Sequence, residues 1–292
     1  METNKAYITS KNFIIISGND CQDFLQNIIS NDIRKVTTEN TLFTSLLTPQ
    51  GKFLFEFIIL KIENKYLIEC NNELLNDLYN TLIKYKLRSK IEIKIEKNLV
   101  SIDIPLINFK NLNINNINSI NYKNYLFFED PRVKNTLARA IINDSEINNF
   151  LTDLNLELTY EKNFYEKKLF SLGIPEKDII KLQGRIFALE ANYLELNAID
   201  QKKGCYVGQE NTARIFLKKK LTKRIFALDL ISGDLFSEQK VFFGNIEAGK
   251  ILIEDTFPFA LIKLENLNKF INKVLDTETG KIKIKKPFFL NT

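Results

Sequence analysis

Lys202-Lys203-Gly204-Cys205-Tyr206-Val207-Gly208-Gln209-Glu210 is the stretch on which the reading of this 292-residue chain turns. Two glycines bracket a cysteine, so the backbone is free to take conformations closed to other residues and to approach a ligand closely. Lys203 lies two positions before the sulfur and favours the thiolate. A helix beginning near Gln209 would add its positive end. Glu210 and Arg214 stand four apart, the spacing of an ion pair along a helix. The same pattern also fits a glycine-bounded turn around a small buried Cys, since free cysteines usually serve as core residues.

The rest of the composition narrows the chemistry. The chain has no histidine, which excludes Ser-His-Asp and Cys-His catalysis, His-rich zinc sites and the facial triad of non-haem iron enzymes. Proton transfer falls to carboxylates, Lys, Tyr, Cys or water. Cys21, Cys70 and Cys205 are odd in number and widely scattered, which is no disulfide framework and fits a reducing cytosol. They cannot enclose an iron–sulfur cluster as four protein ligands, so no metal site of the chain's own is expected. With 45% apolar and 26% charged residues the chain reads as globular, and its net charge of +5 is a weak pull on nucleic acid. Lys218-Lys219-Lys220, with Lys223 and Arg224, lacks interleaved aromatics and reads as a solvated interdomain segment able to steer a polyanion. Met1–Tyr7 lacks the apolar run of a signal peptide, and no apolar run approaches the ~18 residues that span a bilayer. The expected location is the cytoplasm, with no membrane partner.

Periodicity gives an α+β chain. Phe13–Ile16 reads as a strand, with Asn19 and Asp20 offering a cap for a helix carrying Phe24, Leu25, Ile28 and Ile29. Leu42–Leu47 and Phe53–Leu60 read as strands joined across Thr48-Pro49-Gln50-Gly51. Tyr66–Cys70 and Ile91–Glu96 are further strands around a helix over Glu73–Lys86. Asn108–Asn124 is so rich in Asn that it reads as a loop. Tyr125–Phe128 and Thr136–Ile142 are strands, followed by helical segments between Glu146 and Phe170. Arg224–Leu230, Gln239–Phe243, Gly249–Glu254, Phe259–Leu264 and Lys281–Lys285 are short strands with regular turns, the pattern of a small barrel or sandwich. The expected domains are 1–97 and 98–220, both α+β, the second carrying the Cys205 stretch, and 221–292, all β.

Lys203 to Glu210 resembles the signature of the YgfZ family, folate-binding relatives of the glycine-cleavage T-protein. Eight consecutive positions match. Phe24-Leu25-Gln26-Asn27 with Ser30-Asn31-Asp32, Thr48-Pro49-Gln50-Gly51-Lys52, Asp130-Pro131-Arg132, Leu172-Gly173-Ile174-Pro175-Glu176 and Ala213-Arg214 extend the resemblance over roughly residues 10 to 265. It implies two α+β portions around a central folate channel, plus a small C-terminal β-barrel. It also implies a tetrahydrofolate-binding accessory protein, a monomer meeting iron–sulfur client proteins transiently. Such a protein affects tRNA thiolation through its clients, without touching nucleic acid. Cys205 would be the reactive or transiently ligating thiol, its site shaped by Lys203, Gly204, Tyr206, Gly208, Gln209, Glu210 and Arg214.

Comparison with the T-protein separates binding from catalysis. Phe187-Ala188-Leu189-Glu190-Ala191-Asn192 resembles the stretch that supplies its pterin-binding glutamate, which implies that Glu190 holds the 2-amino and N3 edge of folate; two adjacent N–H donors suit a carboxylate. Arg132 is expected either to bind the acidic tail of folate or to pair with Asp130. The acidic pair that serves aminomethyl transfer is represented only by Phe55 and Glu56. Glu56 is therefore either a folate contact or an exposed strand residue. That loss counts against aminomethyltransferase activity, and so does the replacement of the Phe-Ile-Gly-Arg-Glu motif by Cys205–Glu210. A folate-dependent one-carbon transferase and a folate-independent docking scaffold remain the alternatives.

Overall fold

The computed structural model describes residues 4–112, 118–287 and 289–290. The chain forms two compact units. The first comprises Met1–Leu46, Phe55–Tyr165 and Leu196–Val207; the second comprises Leu47–Leu54, Glu166–Glu195 and Gly208–Thr292.

The chain begins with β1 (Lys5–Ile8), β2 (Lys11–Ser17), α1 (Cys21–Ile28), β3 (Leu42–Leu47), β4 (Phe53–Ile62) and β5 (Lys65–Asn71). It continues through α2 (Leu75–Lys86), β6 (Glu92–Glu96), β7 (Leu99–Ile104), α3 (Leu106–Leu112), β8 (Ser119–Tyr122) and β9 (Tyr125–Glu129). Then come β10 (Ala138–Asn143), α4 (Ile147–Asp153), β11 (Glu157–Leu158) and α5 (Phe164–Ser171). One sheet has the order β3-β4-β5-β2-β6, a second β11-β1-β7-β10-β9-β8. β4 and β5 are near-continuous apolar runs because both their faces are covered, as the buried run Phe57–Leu60 shows.

Three local expectations change. Asp20 takes the cap position of α1, but its carboxylate accepts the Lys90 N–H at 2.6 Å and does not cap the helix. The Asn-rich stretch is ordered at both ends: α3 runs to Leu112 around the buried Phe109, and β8 begins at Ser119. Leu106 and Phe109, three apart, give α3 its apolar side despite the asparagines; residues 113–117 lie outside the described residues. β7 went unforeseen although Val100, Ile102 and Ile104 alternate with Ser101 and Asp103. All but Leu99 and Val100 are buried on both faces, and Ser101 Oγ donates to Glu69 Oε1 at 2.5 Å.

The second unit carries α6 (Gln209–Leu217), β12 (Lys223–Gly233), β13 (Lys240–Phe243), β14 (Ile246–Ile253), β15 (Phe259–Lys263), α7 (Leu267–Phe270), β16 (Val274–Asp276) and β17 (Gly280–Lys285). The strands close a barrel in the order β12-β15-β14-β13-β16-β17. Its interior holds Phe226, Val241, Ile251, Ile262, Leu275 and Ile282. The α+β class with a C-terminal barrel is the one expected, and closure decides between barrel and sandwich. Among the described residues no helix is long and apolar enough to cross a membrane.

Candidate functional site

Cys205 is an exposed free thiol in the first unit. The residues around it are not loose. Lys203 is only 4% exposed, and its ammonium donates to Gln26 O at 2.7 Å, Ile29 O at 2.6 Å and Asn31 O at 2.9 Å. These carbonyls lie at or just past the end of α1, where the last C=O groups lack intrahelical donors and the helix is partially negative. The same ammonium lies 4.9 Å from the centre of the Tyr206 ring, and Val207 N–H donates to Asn27 O at 3.3 Å. Burial lowers the Lys203 pKa to about 8, against the pull of Asp32 and Asp200, so at neutral pH three donors meet three acceptors. The charge expected to favour the Cys205 thiolate is thus directed at α1. Its evident work is to hold the loop.

The two glycines differ. Gly208 has φ +81°, and a Cβ there would stand 2.5 Å from Thr48 O and 2.9 Å from Leu47 Cβ. Only glycine fits. Gly204 lies outside the left-handed region and a Cβ there would meet open space, so its own backbone makes no demand for glycine. The helix expected after the motif is α6, with Gly208 at its cap and Glu210 paired to Arg214 at 2.8 Å on an exposed face. Lys218, Lys219 and Lys220 follow it as exposed residues, whereas Arg224 enters β12 and pairs with Glu195 at 2.5 Å.

Glu190 lies in the second unit, in a run of turns and not on a helix. The approach to it is fixed by the hairpin tip: Phe53 N–H donates to Ile186 O at 2.8 Å, Gly184 N–H to Phe53 O at 2.8 Å and Ala188 N–H to Gly51 O at 3.3 Å. On the far side Ile225 N–H, from β12, donates to Glu190 O at 2.8 Å. The carboxylate Oε2 accepts the Phe187 N–H at 2.9 Å. Burial raises the Glu190 pKa, and this N–H and the charges of Lys223, Lys52 and Lys250 only partly offset it. Glu190 makes no ion pair among the described residues, so its carboxylate has acceptor capacity left for a ligand donor. A carboxylate acceptor of this kind fits the paired N–H donors of a pterin edge.

Arg132 is not a free cation. Its Nε and Nη2 grip Asp130 at 3.0 and 2.7 Å, both residues buried. Of the two expected roles the structure supplies the ion pair. Glu56 is buried as well, 6% exposed, with Oε1 3.8 Å from Arg132 Nη1, which overturns its reading as an exposed strand residue. Sequence reasoning missed the rest of this cluster. Arg139, fully buried on β10, reaches Asp130 Oδ2 at 2.9 Å, Glu69 Oε2 at 2.7 Å and the Tyr165 hydroxyl. An Arg alternating with Ala138, Ala140 and Ile142 on a strand was the available signal, because a buried guanidinium needs carboxylates from neighbouring strands. Cys21, on α1, and Cys70, on β5, are buried, and burial raises the Cys21 pKa. Among the described residues no group of three His, Cys, Asp or Glu side chains is arranged to hold a metal.

No family model matches the chain. Over 231 residues it is 32% identical to the iron–sulfur cluster assembly factor IBA57 homolog, mitochondrial, of Neurospora crassa, a match covering 75% of this chain and 52% of that protein. The protein of the same description from Mycosarcoma maydis is 26% identical over 236 residues, 76% of this chain and 56% of its own length. The chain thus spans about half the length of these curated relatives. The crystal structure of glycine cleavage system aminomethyltransferase T from Bartonella henselae superposes with a TM-score of 0.72 over 98% of this chain and 86% of that one, at 10% identity. The chain has the aminomethyltransferase T fold, as the resemblance implied; at that identity the likeness is one of fold alone.

Proposed function

We propose that this protein is a folate-binding accessory factor of the YgfZ type that helps assemble or repair iron–sulfur enzymes, with Cys205 as its one outward-facing sulfur ligand. The observation that carries the proposal is the Cys205 loop. Lys203 and Val207 are tied to α1 on either side of a thiol that stays exposed, and the Tyr206 ring lies against the Lys203 ammonium. Anchoring of this kind suits a sulfur presented to another molecule, because a ligand must be both accessible and held in place. With Cys21 and Cys70 buried, a cluster touching Cys205 takes its remaining ligands from the client. The names of the relatives support the iron–sulfur reading.

Folate binding rests on Glu190 and on the shared fold. The carboxylate would accept from the 2-amino and N3 groups of the pterin, and the nearby charges of Lys52, Lys223 and Lys250 suit the acidic tail. Consequences for tRNA thiolation would follow through client enzymes. Two measurements test the halves separately. Calorimetric titration with tetrahydrofolate should saturate for the wild type and fail for Glu190→Gln; no saturation for the wild type removes the folate claim. Cells lacking the protein should recover iron–sulfur enzyme activity with the wild-type chain but not with Cys205→Ser. Full recovery with Cys205→Ser removes the thiol claim.

A further inference from the structure

The barrel is closed along most of its height, yet β12 outlasts its partner. Main-chain groups of the even-numbered residues of β12 face β15: Leu264 N–H donates to Thr222 O at 2.8 Å, and at the far end Leu228 N–H donates to Pro258 O at 2.9 Å. The β12–β15 ladder ends at Ala227 and Phe259. Opposite Leu228 stands a proline, which has no N–H to return. Residues 254–258 then bend out of the ladder, while β12 continues to Gly233 paired with β17 alone. Leu230, two residues on and still before the bulge, directs its N–H and C=O to the same side as Leu228. The Leu228 carbonyl and both main-chain groups of Leu230 therefore face a groove where a strand would continue.

That groove has a volume of about 600 Å³, with Leu228, Leu230, Phe236 and Pro258 in its lining. Leu230 and Phe236 are 46% and 55% exposed. Its charge opposes that of the chain as a whole. Asp229, Asp234, Glu254 and Asp255 line it; facing them are Lys285 at 3.0 Å from Asp229, Lys181 at 2.8 and 2.9 Å from Glu254 and Asp255, and Lys177, whose ammonium donates to Thr256 Oγ1 at 3.4 Å. Glu254 Oε2 is buried with no hydrogen-bond partner.

We infer that this free edge of β12 takes up an extended segment of a partner protein, carrying Lys or Arg between apolar residues, as an added strand. Main-chain groups that face outward select an extended polypeptide, and alternate side chains of an added strand fall on Leu230 and Phe236. The carboxylates select a cation and repel nucleic acid or anionic lipid. A second copy of this chain pairing edge to edge would set the same acidic residues against each other. The edge accommodates about four residues, roughly 13 Å of strand. The site lies wholly within the second unit, and neither Cys205 nor Glu190 lines it.

The probe is a fluorescent, capped hexapeptide alternating valine and lysine, titrated against the full chain by anisotropy, with a valine–glutamate peptide as its counterpart. Saturable binding of the lysine peptide is expected, with the glutamate peptide at least about tenfold weaker. Leu230→Pro removes only an outward N–H and should weaken binding about tenfold or more while the thermal midpoint holds. If Leu230→Pro fails to fold, Asp255→Lys, exposed and outside every ladder, should weaken the lysine peptide and strengthen the glutamate one. The inference is overturned by an absence of saturable binding, by equal affinities for the two peptides, or by binding that neither substitution changes. It is also overturned if sedimentation shows a dimer that Leu230→Pro abolishes, because the occupant is then a second copy.

Discussion

Asp130 is a fully buried carboxylate and Glu190 a half-buried one, and their pKa values are displaced in opposite directions. Burial acts against the charge of each. At Asp130 the guanidiniums of Arg132 and Arg139 overcome it and hold the carboxyl far below the ordinary carboxylate range. At Glu190 one backbone N–H and the fields of three lysines do not, and its pKa stays raised. Where the chain brings full ion-pair partners to a buried charge, the charge builds the fold. Where it brings fewer, a ligand can complete the set. The same contrast separates Gly208 from Gly204 and the buried cysteines from Cys205.

The largest effect is expected at the fully partnered end. Asp130→Ala leaves two buried guanidiniums without their shared acceptor and should cost about 3–5 kcal/mol, read as a lowered urea midpoint at pH 7. The pH dependence has a definite sign. The folded pKa of Asp130 lies below its ordinary 3.8, so its stabilisation is present above that value and is lost as pH falls through the folded one. Asp130→Asn should therefore flatten part of the wild type's loss of stability in acid. An Asp130→Ala protein as stable as a surface variant would break the comparison at its firmest point.

The glycines come next. Gly208→Ala places a Cβ against Thr48 O at a positive φ and should cost about 1–3 kcal/mol or more. Gly204→Ala should fall within about 0.5 kcal/mol of wild type, since its Cβ meets nothing. If Gly204→Ala nonetheless lowers iron–sulfur enzyme activity in cells, the space over Cys205 is used by a partner. Equal stability loss at both glycines would mean that Gly204 is a structural residue after all.

Much of this division was legible in the sequence, and its limits follow from what spacing can encode. The hairpin at Thr48–Gly51, α2 and the barrel strands were readable because apolar period and turn residues agree there. The Lys203–Glu210 motif named its own glycines, but nothing local distinguishes Gly208, which is required by a neighbouring hairpin, from Gly204, which is not. Lys203 read as a neighbour of the thiol because sequence distance was the only measure; the carbonyls it binds lie more than 170 positions away. Arg139 and Glu69 were invisible as partners for the same reason, and exposure stayed one of the two readings of Glu56 because an isolated Glu on a strand is usually exposed. Long-range pairing of charges is what the linear pattern leaves out.

Glu190 gives a smaller effect with the opposite sign. Its folded pKa lies above the ordinary 4.5, so the protonated acid's contribution is present below that value and is lost as pH rises through the folded one. Glu190→Gln keeps an acceptor for Phe187 N–H without the buried charge. It should melt at or above the wild-type temperature at pH 7, with the advantage fading toward pH 4. Tetrahydrofolate binding should nonetheless fall, because an amide offers one acceptor oxygen where the pterin edge presents two donors. A Glu190→Gln protein less stable at pH 7 than at pH 4, relative to wild type, would move Glu190 into the company of Asp130.

Cys205 should matter least to stability. Cys205→Ser changes an exposed atom and should shift unfolding by less than about 0.5 kcal/mol. Reactivity should sort the three thiols cleanly: in the native protein one sulfur exchanges rapidly with an aromatic disulfide reagent. Cys21 and Cys70, 3% and 1% exposed, should wait for unfolding, and Cys205→Ser should abolish the rapid phase entirely. The loop's anchoring sharpens the outcome. Lys203→Met leaves three carbonyls at the end of α1 without their cation and frees the segment that carries the sulfur, so the rapid phase should persist while client activity falls. Activity that survives Lys203→Met would show that exposure of the thiol suffices, and that anchoring its loop to α1 contributes nothing to the work it does.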